Sequence, residues 1–514
     1  MTEAPLTVSS LLGEMPGAAL VRGDGGVLIS GLGHDSRHVR PGSLFVAVPG
    51  FKVDGHSFLP QVAGAGAGAV LVQRDRRSQW EGIRAGPAVI AVDDTRAAMA
   101  QAAAWFHGHP GRELAVIGVT GTDGKTTASH LLTSVLEAGG LRVGRLGTVD
   151  VHIAGERGTV SNRMTTPEAP EVQALLRKMV DAGCDYAIVE STSHGLALHR
   201  LDEVEYDIAV FTNVSCDHLD FHETFEAYRE AKGKLFAALG TSFDKGIPKV
   251  AVANMDDPSA HFMLGQAPAA EHLGYGMESR EAQVLARNVH LQADGSSFRL
   301  ITPLGIAEAQ VHIPALFNVE NALAAAGAGL AAGLAVDDIA RGLGECPGVP
   351  GRMERIAAGQ PFEVIVDYAH TGDAVRKVLE VLRAVAGGSL IIVVGAAGER
   401  DPGRRFGVAR AAAAGADFAV FANEDPRSED PAAIVHEIGR HAASAGRTPG
   451  TDFIEIEDRR EAIAAALGRA KAGDIVVIAG KGHEQSIVYA EGSRPWDDRE
   501  VAREELARLG FTGS

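Results

Sequence analysis

The sequence predicts an α/β protein of three domains with a doubly wound, phosphate-binding sheet at its centre. Short runs rich in Val and Ile alternate with Ala-rich helical stretches along the chain, the pattern of parallel strands joined by crossover helices. The length, 514 residues, suggests about three domains of ordinary size. One strand-like run also opens directly into a glycine loop closed by Lys-Thr.

The elements follow in order. Leu44 to Val48, Ala69 to Val72 and Val89 to Val92 read as strands, ahead of a helix from Thr95 to His107 and a break at His109-Pro110-Gly111. A first domain over 1–110 is expected. A second series runs through Leu114 to Val119, Tyr186 to Val189, Ile208 to Phe211 and Val250 to Ala253, and its tail is an apolar helix from Asn318 to Gly333. The segment Cys346-Pro347-Gly348-Val349-Pro350-Gly351 breaks regular structure twice, placing a second domain over 111–347 and a third over 348–514. Strands are expected in the third at Val364 to Val366, Leu390 to Val394, Phe418 to Phe421 and Ile475 to Ile478.

Composition narrows the function. Hydrophobic residues make up 46% and charged residues 22%, an ordinary globular balance. The net charge of −18 is spread along the chain, which argues against a nucleic-acid partner. Cys184, Cys216 and Cys346 are odd in number and lack metal-site spacing, which fits a reducing compartment. The start has no signal-peptide pattern and no long apolar run follows, so a cytoplasmic protein without a membrane segment is expected.

The strand at Leu114 to Val119 runs into Thr120-Gly121-Thr122-Asp123-Gly124-Lys125-Thr126-Thr127 and then a helical stretch, Ala128 to Ala138. Glycines let backbone N–H groups face phosphates, and a helix N-terminus adds a favourable dipole. Lys125 is expected to reach the β- and γ-phosphates, and Thr126 to bind Mg²⁺. Glu190 and His218 fall beyond the next two strand ends, where open α/β sheets place ligands. A carboxylate and an imidazole beside such a loop are suitable for Mg²⁺.

The G-T-x-G-K-T spacing resembles the superfamily of Mur ligases and folylpolyglutamate synthetase, with Asp123 where the family commonly has Asn. The run from Thr212 to His222, T-N-x-x-x-D-H-L-D-F-H, resembles the MurE type of Mur ligase. This resemblance implies an ATP-dependent carboxylate-amine ligase of peptidoglycan synthesis, a monomer, with a UDP-binding first domain, an ATP-binding second domain and a Rossmann-like amino-acid-binding third. The catalytic set implied is Lys125, His218 and Lys232, with Lys232 carbamoylated and serving Mg²⁺ beside Thr126, Glu190 and His218. Gly121, Thr122, Asp123, Gly124, Lys125, Thr126 and Thr127 are implied to bind ATP. Ser36, Phe51, Lys52, Val53, Thr165, Thr166, Thr192 and Arg200 are implied to hold the UDP-linked muropeptide.

In the third domain Asp367 to Thr371, Gly395 to Asp401, Glu424 to Arg427 and Gly480 to Glu484 resemble the family's D-Y-A-H-T-P, G-x-G-G-D-R-D, D-N-P-R and G-K-G-H-E. Gly372, Ala397, Glu424 and Asp425 depart from those patterns. Arg400, Glu424, Asp425, Pro426, Arg427, Gly480 and Glu484 are implied to bind the amino acid. In the family an arginine closing D-N-P-R accompanies meso-diaminopimelate, because a guanidinium fork suits its distal carboxylate. Arg427 therefore favours diaminopimelate. Asp425 argues the other way, since its negative charge would attract a distal ammonium and repel a carboxylate, and a pair with Arg427 would admit lysine or ornithine. A folylpolyglutamate synthetase-like ligase, a Mur-like amidotransferase subunit and a nucleotide-switched binding protein remain as alternatives.

Overall fold

The structure, a computed structural model, describes residues 5–51, 53–83, 86–158, 165–215, 219–292, 294–401 and 403–513. The chain divides into two compact units. The first contains 1–285, 302–304 and 323–342, and the second 286–301, 305–322 and 343–514.

Two sheets lie in the first unit. Strands β1 (Ala19–Arg22), β2 (Gly31–Gly33), β3 (Ser43–Val46), β4 (Ala69–Gln73) and β5 (Ala88–Val92) form a sheet in the order β1-β5-β4-β3-β2, in which β1 alone is antiparallel. Leu44 and Val46 enter one core while Phe45 and Ala47 enter another, so both faces of β3 are covered. That explains why these strands read as unbroken apolar runs.

The second sheet builds the phosphate-loop domain. Its strands are β6 (Ala115–Thr120), β7 (Val143–Leu146), β8 (Val151–Ile153), β9 (Glu156–Gly158), β10 (Tyr186–Glu190), β11 (Ile208–Phe211), β12 (Val250–Asn254) and β13 (Glu271–Gly276), in the order β13-β12-β11-β6-β10-β7-β8-β9. β6 pairs in parallel with β10 on one side and β11 on the other, with Glu190 opposite Val119 and Phe211 opposite Thr120. The loops leaving β6, β10 and β11 therefore emerge together at one sheet edge. β14 (Val284–Gln292) begins against β13, then runs into the second unit, where β15 (Gly295–Thr302) and β16 (Gly305–Val311) extend it as a meander. Polar alternation hid these strands from a search for apolar runs. The expected apolar helix is present as Leu316–Ala331.

The other sheet of the second unit has strands β17 (Glu354–Arg355), β18 (Glu363–Asp367), β19 (Leu390–Val394), β20 (Phe418–Phe421), β21 (Phe453–Glu455) and β22 (Ile475–Ala479), in the order β17-β18-β22-β19-β20-β21. All pairs but β17–β18 are parallel. Ile365 packs into one core and Val364 and Val366 into another, as a doubly wound sheet requires. A hairpin of β23 (Ser486–Tyr489) and β24 (Gly492–Pro495) follows. Among the described residues no helix is long and apolar enough to cross a membrane.

Candidate active site

The phosphate loop is fastened to the strand beside it. Thr122 N donates to Asn213 O at 2.9 Å, Asp123 N to Asn213 Oδ1 at 3.0 Å, and Thr212 Oγ1 to Asp123 O at 2.6 Å. These bonds use the backbone of Asp123, so an Asp in place of Asn leaves them intact. A Cβ on Gly121 would stand 1.9 Å from Thr212 Oγ1, so only glycine allows this approach. Gly124, at φ 84°, turns the chain into the helix Lys125–Ala138. Thr126 and Thr127 are buried in its first turn.

Two lysines converge on one carbonyl. Lys125 Nζ donates to Gly121 O at 2.8 Å and to Thr122 O at 2.9 Å, while Lys232 Nζ donates to the same Gly121 O at 2.6 Å. Lys232 is fully buried on the helix Phe225–Ala238, its ammonium 4.3 Å from the centre of the Tyr228 ring. Tyr228 in turn bonds Thr122 Oγ1 at 3.1 Å. Lys232 is thus not a solvated helix lysine.

Glu190 closes β10 with no solvent exposure. Its Oε2 accepts from Thr126 Oγ1 at 2.9 Å and Thr148 Oγ1 at 2.8 Å, and its Oε1 from Thr148 N at 3.2 Å. A Cβ on Gly147 would lie 2.2 Å from Glu190 Oε1, so the Gly147-Thr148 turn folds directly over the carboxylate. These partners are neutral, and the Glu190 carboxylate with the Thr126 and Thr148 hydroxyls presents oxygen atoms, which fits a hard divalent ion. Thr148 was not legible as a site residue. A threonine after a glycine carries no signal until β7 and β10 pair.

Thr148 also reaches Thr165 Oγ1 at 3.0 Å. Thr166, buried, donates to Glu190 O at 3.0 Å and shares a 2.9 Å bond with Thr192, which caps the helix Ser193–Ala197. Arg200 donates to Thr166 O at 3.2 Å and pairs with Glu168 at 2.7 Å. Thr165, Thr166, Thr192 and Arg200 thus form one polar patch next to Glu190. Glu168, missed from sequence, belongs to it.

Near the N-terminus Ser36 lies between Asp35 and Arg37, whose 2.7 Å ion pair holds the Asp35 carboxyl far below its ordinary range. Phe51, 75% exposed, meets the edge of Phe221 at 6.0 Å, and Arg96 lies 5.8 Å from its ring centre. Phe221 stacks on His194 at 4.2 Å. The loop holding Phe51 and the exposed Val53 therefore stands beside the patch after β10. Lys52, His218 and Cys216 lie outside the described residues.

In the second unit the motifs after β18, β19, β20 and β22 gather at one edge of the sheet. Glu424 is buried, its Oε2 has no hydrogen-bond partner among the described residues, and burial pushes its carboxyl up to about 7. Gly480 packs so closely that a Cβ there would meet this oxygen at 2.9 Å. Asp425 pairs with Lys481 at 2.8 Å and accepts from Val488 N at 2.9 Å. Lys481, 1% exposed, also pairs with Glu484, which receives the Tyr368 hydroxyl at 3.4 Å. Pro426 leads into Arg427, whose backbone takes the left-handed φ of 58° and donates to Val488 O at 2.9 Å. Among the described residues Arg427 forms no ion pair, and its Nε is buried without a partner. Arg400 is exposed on a loop tied to this bend by Gly398 N donating to Asp425 O at 2.8 Å. The Asp425–Arg427 pair that the sequence leaves open does not form; Lys481 takes the carboxylate.

Family models match three stretches: Mur ligase family, catalytic domain, at 28–107; Mur ligase middle domain at 119–329; and Mur ligase, glutamate ligase domain, at 351–482. The UDP-N-acetylmuramyl-tripeptide synthetase of Roseiflexus sp. (strain RS-1) is 46% identical over 94% of this chain and 96% of its own. The UDP-N-acetylmuramoyl-L-alanyl-D-glutamate--2,6-diaminopimelate ligase of Geobacillus thermodenitrificans (strain NG80-2) is 42% identical over 97% and 99%. A solved structure of a UDP-N-acetylmuramoyl-L-alanyl-D-glutamate--2,6-diaminopimelate ligase superposes with a TM-score of 0.69 at 30% identity, covering 99% of this chain and all of that one. The chain belongs to the Mur ligase family. Its fold is the three-domain Mur ligase fold, and its activity is ATP-dependent acid–amino-acid ligation.

Proposed function

We propose that this ligase adds meso-2,6-diaminopimelate to UDP-N-acetylmuramoyl-L-alanyl-D-glutamate in the cytoplasm, with the glutamate carboxylate activated as an acyl phosphate. One observation carries the choice of amino acid: among the described residues Arg427 forms no ion pair, while the neighbouring acid, Asp425, is bound by Lys481. A guanidinium fork left open suits the distal carboxylate of diaminopimelate and repels the distal ammonium of lysine or ornithine. Glu424 and Glu484 supply acid for the ammonium groups, and Arg400 a cation for the common carboxylate. Pro426 and Gly480 shape the bend that presents them.

The phosphate-loop residues from Gly121 to Thr127 take ATP, with Lys125 neutralising the transferred phosphate. Mg²⁺ would be held by Thr126, Glu190, His218 and a carbamoylated Lys232, and would supply charge neutralisation at the phosphates. Two ammonium groups sharing one carbonyl support the modification, since carbamoylation replaces a repulsion beside Lys125 with an attraction. Thr165, Thr166, Thr192 and Arg200 orient the muropeptide, and Ser36, Phe51, Lys52 and Val53 take its UDP. The proposed domain limits are 1–110, 111–347 and 348–514.

The test is a competition assay with UDP-N-acetylmuramoyl-L-alanyl-D-glutamate, ATP and equal amounts of diaminopimelate, lysine and ornithine, with products identified by mass. Diaminopimelate is expected in the product. Preferential incorporation of lysine or ornithine overturns the reading, and phosphate release without an amino acid points to a nucleotide switch.

A further inference from the structure

Lys481 is a cation placed where solvent does not reach it, at 1% exposure, with two acids around it. A buried ammonium is costly unless it is matched, and so is a buried carboxylate such as Asp425. Asp425 and Arg427 stand two residues apart on one bend, and both are fixed to Val488. Asp425 receives its N–H on a side-chain oxygen, whereas Arg427 donates its own backbone N–H to the Val488 carbonyl. The backbone of Arg427 is thereby committed, while its guanidinium forms no ion pair among the described residues.

We infer that Lys481 determines which diamino acid this ligase accepts, by binding Asp425 and so keeping it from neutralising Arg427. The inference rests on the assignment of Arg427 to the distal carboxylate of the amino acid. Other charges near the bend do not do this work. Arg459 is committed to Asp498 at 2.8 and 2.7 Å and to the carbonyls of Asn423 and Ala479. Glu399 is exposed and held first by Ser428, with Arg427 acting on it only as a neighbouring charge. Removing the Lys481 charge leaves Asp425 buried without its paired cation, and Arg427, two residues on, is a cation that forms no ion pair among the described residues. Their pairing would cancel the feature that distinguishes a distal carboxylate from a distal ammonium. Lys481 is a positioning residue in this account, acting through Asp425.

The experiment measures the ratio of diaminopimelate to lysine incorporated by the full-length enzyme from an equal mixture. This ratio does not depend on how much of a preparation is folded. Wild-type enzyme is expected to favour diaminopimelate, Lys481→Met to shift the ratio toward lysine at least tenfold, and Lys481→Met with Asp425→Asn to regain the wild-type preference. If Lys481→Met does not fold, Lys481→Gln, which removes the charge but keeps a donor, replaces it and is expected to shift the ratio in the same direction. An unchanged ratio in the single variant overturns the inference. So does a double variant shifted as far as the single, since Lys481 would then act on the substrate directly. A wild-type preference for lysine overturns the Arg427 assignment itself, and the inference with it.

Discussion

The two charged centres of this molecule treat buried acids in opposite ways. Glu190, at the end of β10, is held by two threonine hydroxyls and one backbone N–H, all neutral. Asp425 and Asp498, in the second unit, are each bound by a fixed cation, Lys481 and Arg459. A carboxylate oriented by neutral donors keeps its charge for an incoming cation. One paired with a built-in lysine or arginine has part of its charge already matched, and also holds neighbouring groups in place. Among the described residues of the second unit, Glu424 and Arg427 both stand without an ion pair, an acid suited to an ammonium and a base suited to a distal carboxylate.

The contrast breaks most visibly at the phosphate loop. Lys125→Ala is expected to lower ATP-dependent turnover by on the order of 10³-fold with an unchanged circular dichroism spectrum, because a half-exposed charge donor is lost and no core residue. Undiminished phosphate release from the folded variant would remove this loop from the mechanism. Lys232→Ala is expected to be inactive and partly restored by acetate, whose oxygens replace those of a carbamate. An active enzyme whose mass shows an unmodified Lys232 would rule the carbamate out.

Thr148→Val sharpens the comparison, since it deletes one of the neutral donors that orient Glu190. Magnesium-dependent binding of ADP, followed by calorimetry, is expected to weaken by about 10- to 100-fold, the usual cost of losing a group that orients a metal ligand. Unchanged magnesium dependence would reduce Thr148 to a packing role. The last effect, on stability rather than activity, concerns Glu424. Its carboxyl is raised from 4.5 to about 7 by burial, so the folded state holds a proton the unfolded chain has released between those values. The stability this contributes is present below about 4.5 and is lost as pH rises through about 7. Glu424→Gln should therefore gain on wild type between pH 5 and pH 8, by at most about 3 kcal/mol. Parallel urea midpoints across that range would show that the group titrates normally.

Much of this was legible in one dimension because it depends on local order. Strands covered on both faces, such as β6, β10, β19 and β22, are continuous apolar runs, and a glycine loop between strand and helix is contiguous by its nature. Short or half-exposed strands, including β1, β8, β14 and β16, lack such runs and were not anticipated. The motif residues likewise announced their chemistry but not their partners. Asp425 and Arg427 stand two apart in sequence, and whether they pair was open until the fold brought Lys481, 56 residues further on, to the carboxylate. Thr148 and Glu190 are 42 residues apart and meet because β7 and β10 are neighbours in the sheet. The sequence by itself therefore determined the family, the phosphate loop and the acids and bases available. Only the tertiary structure decided which charges cancel and which stay open, because pairing depends on distance through space and on burial, neither of which chain order contains.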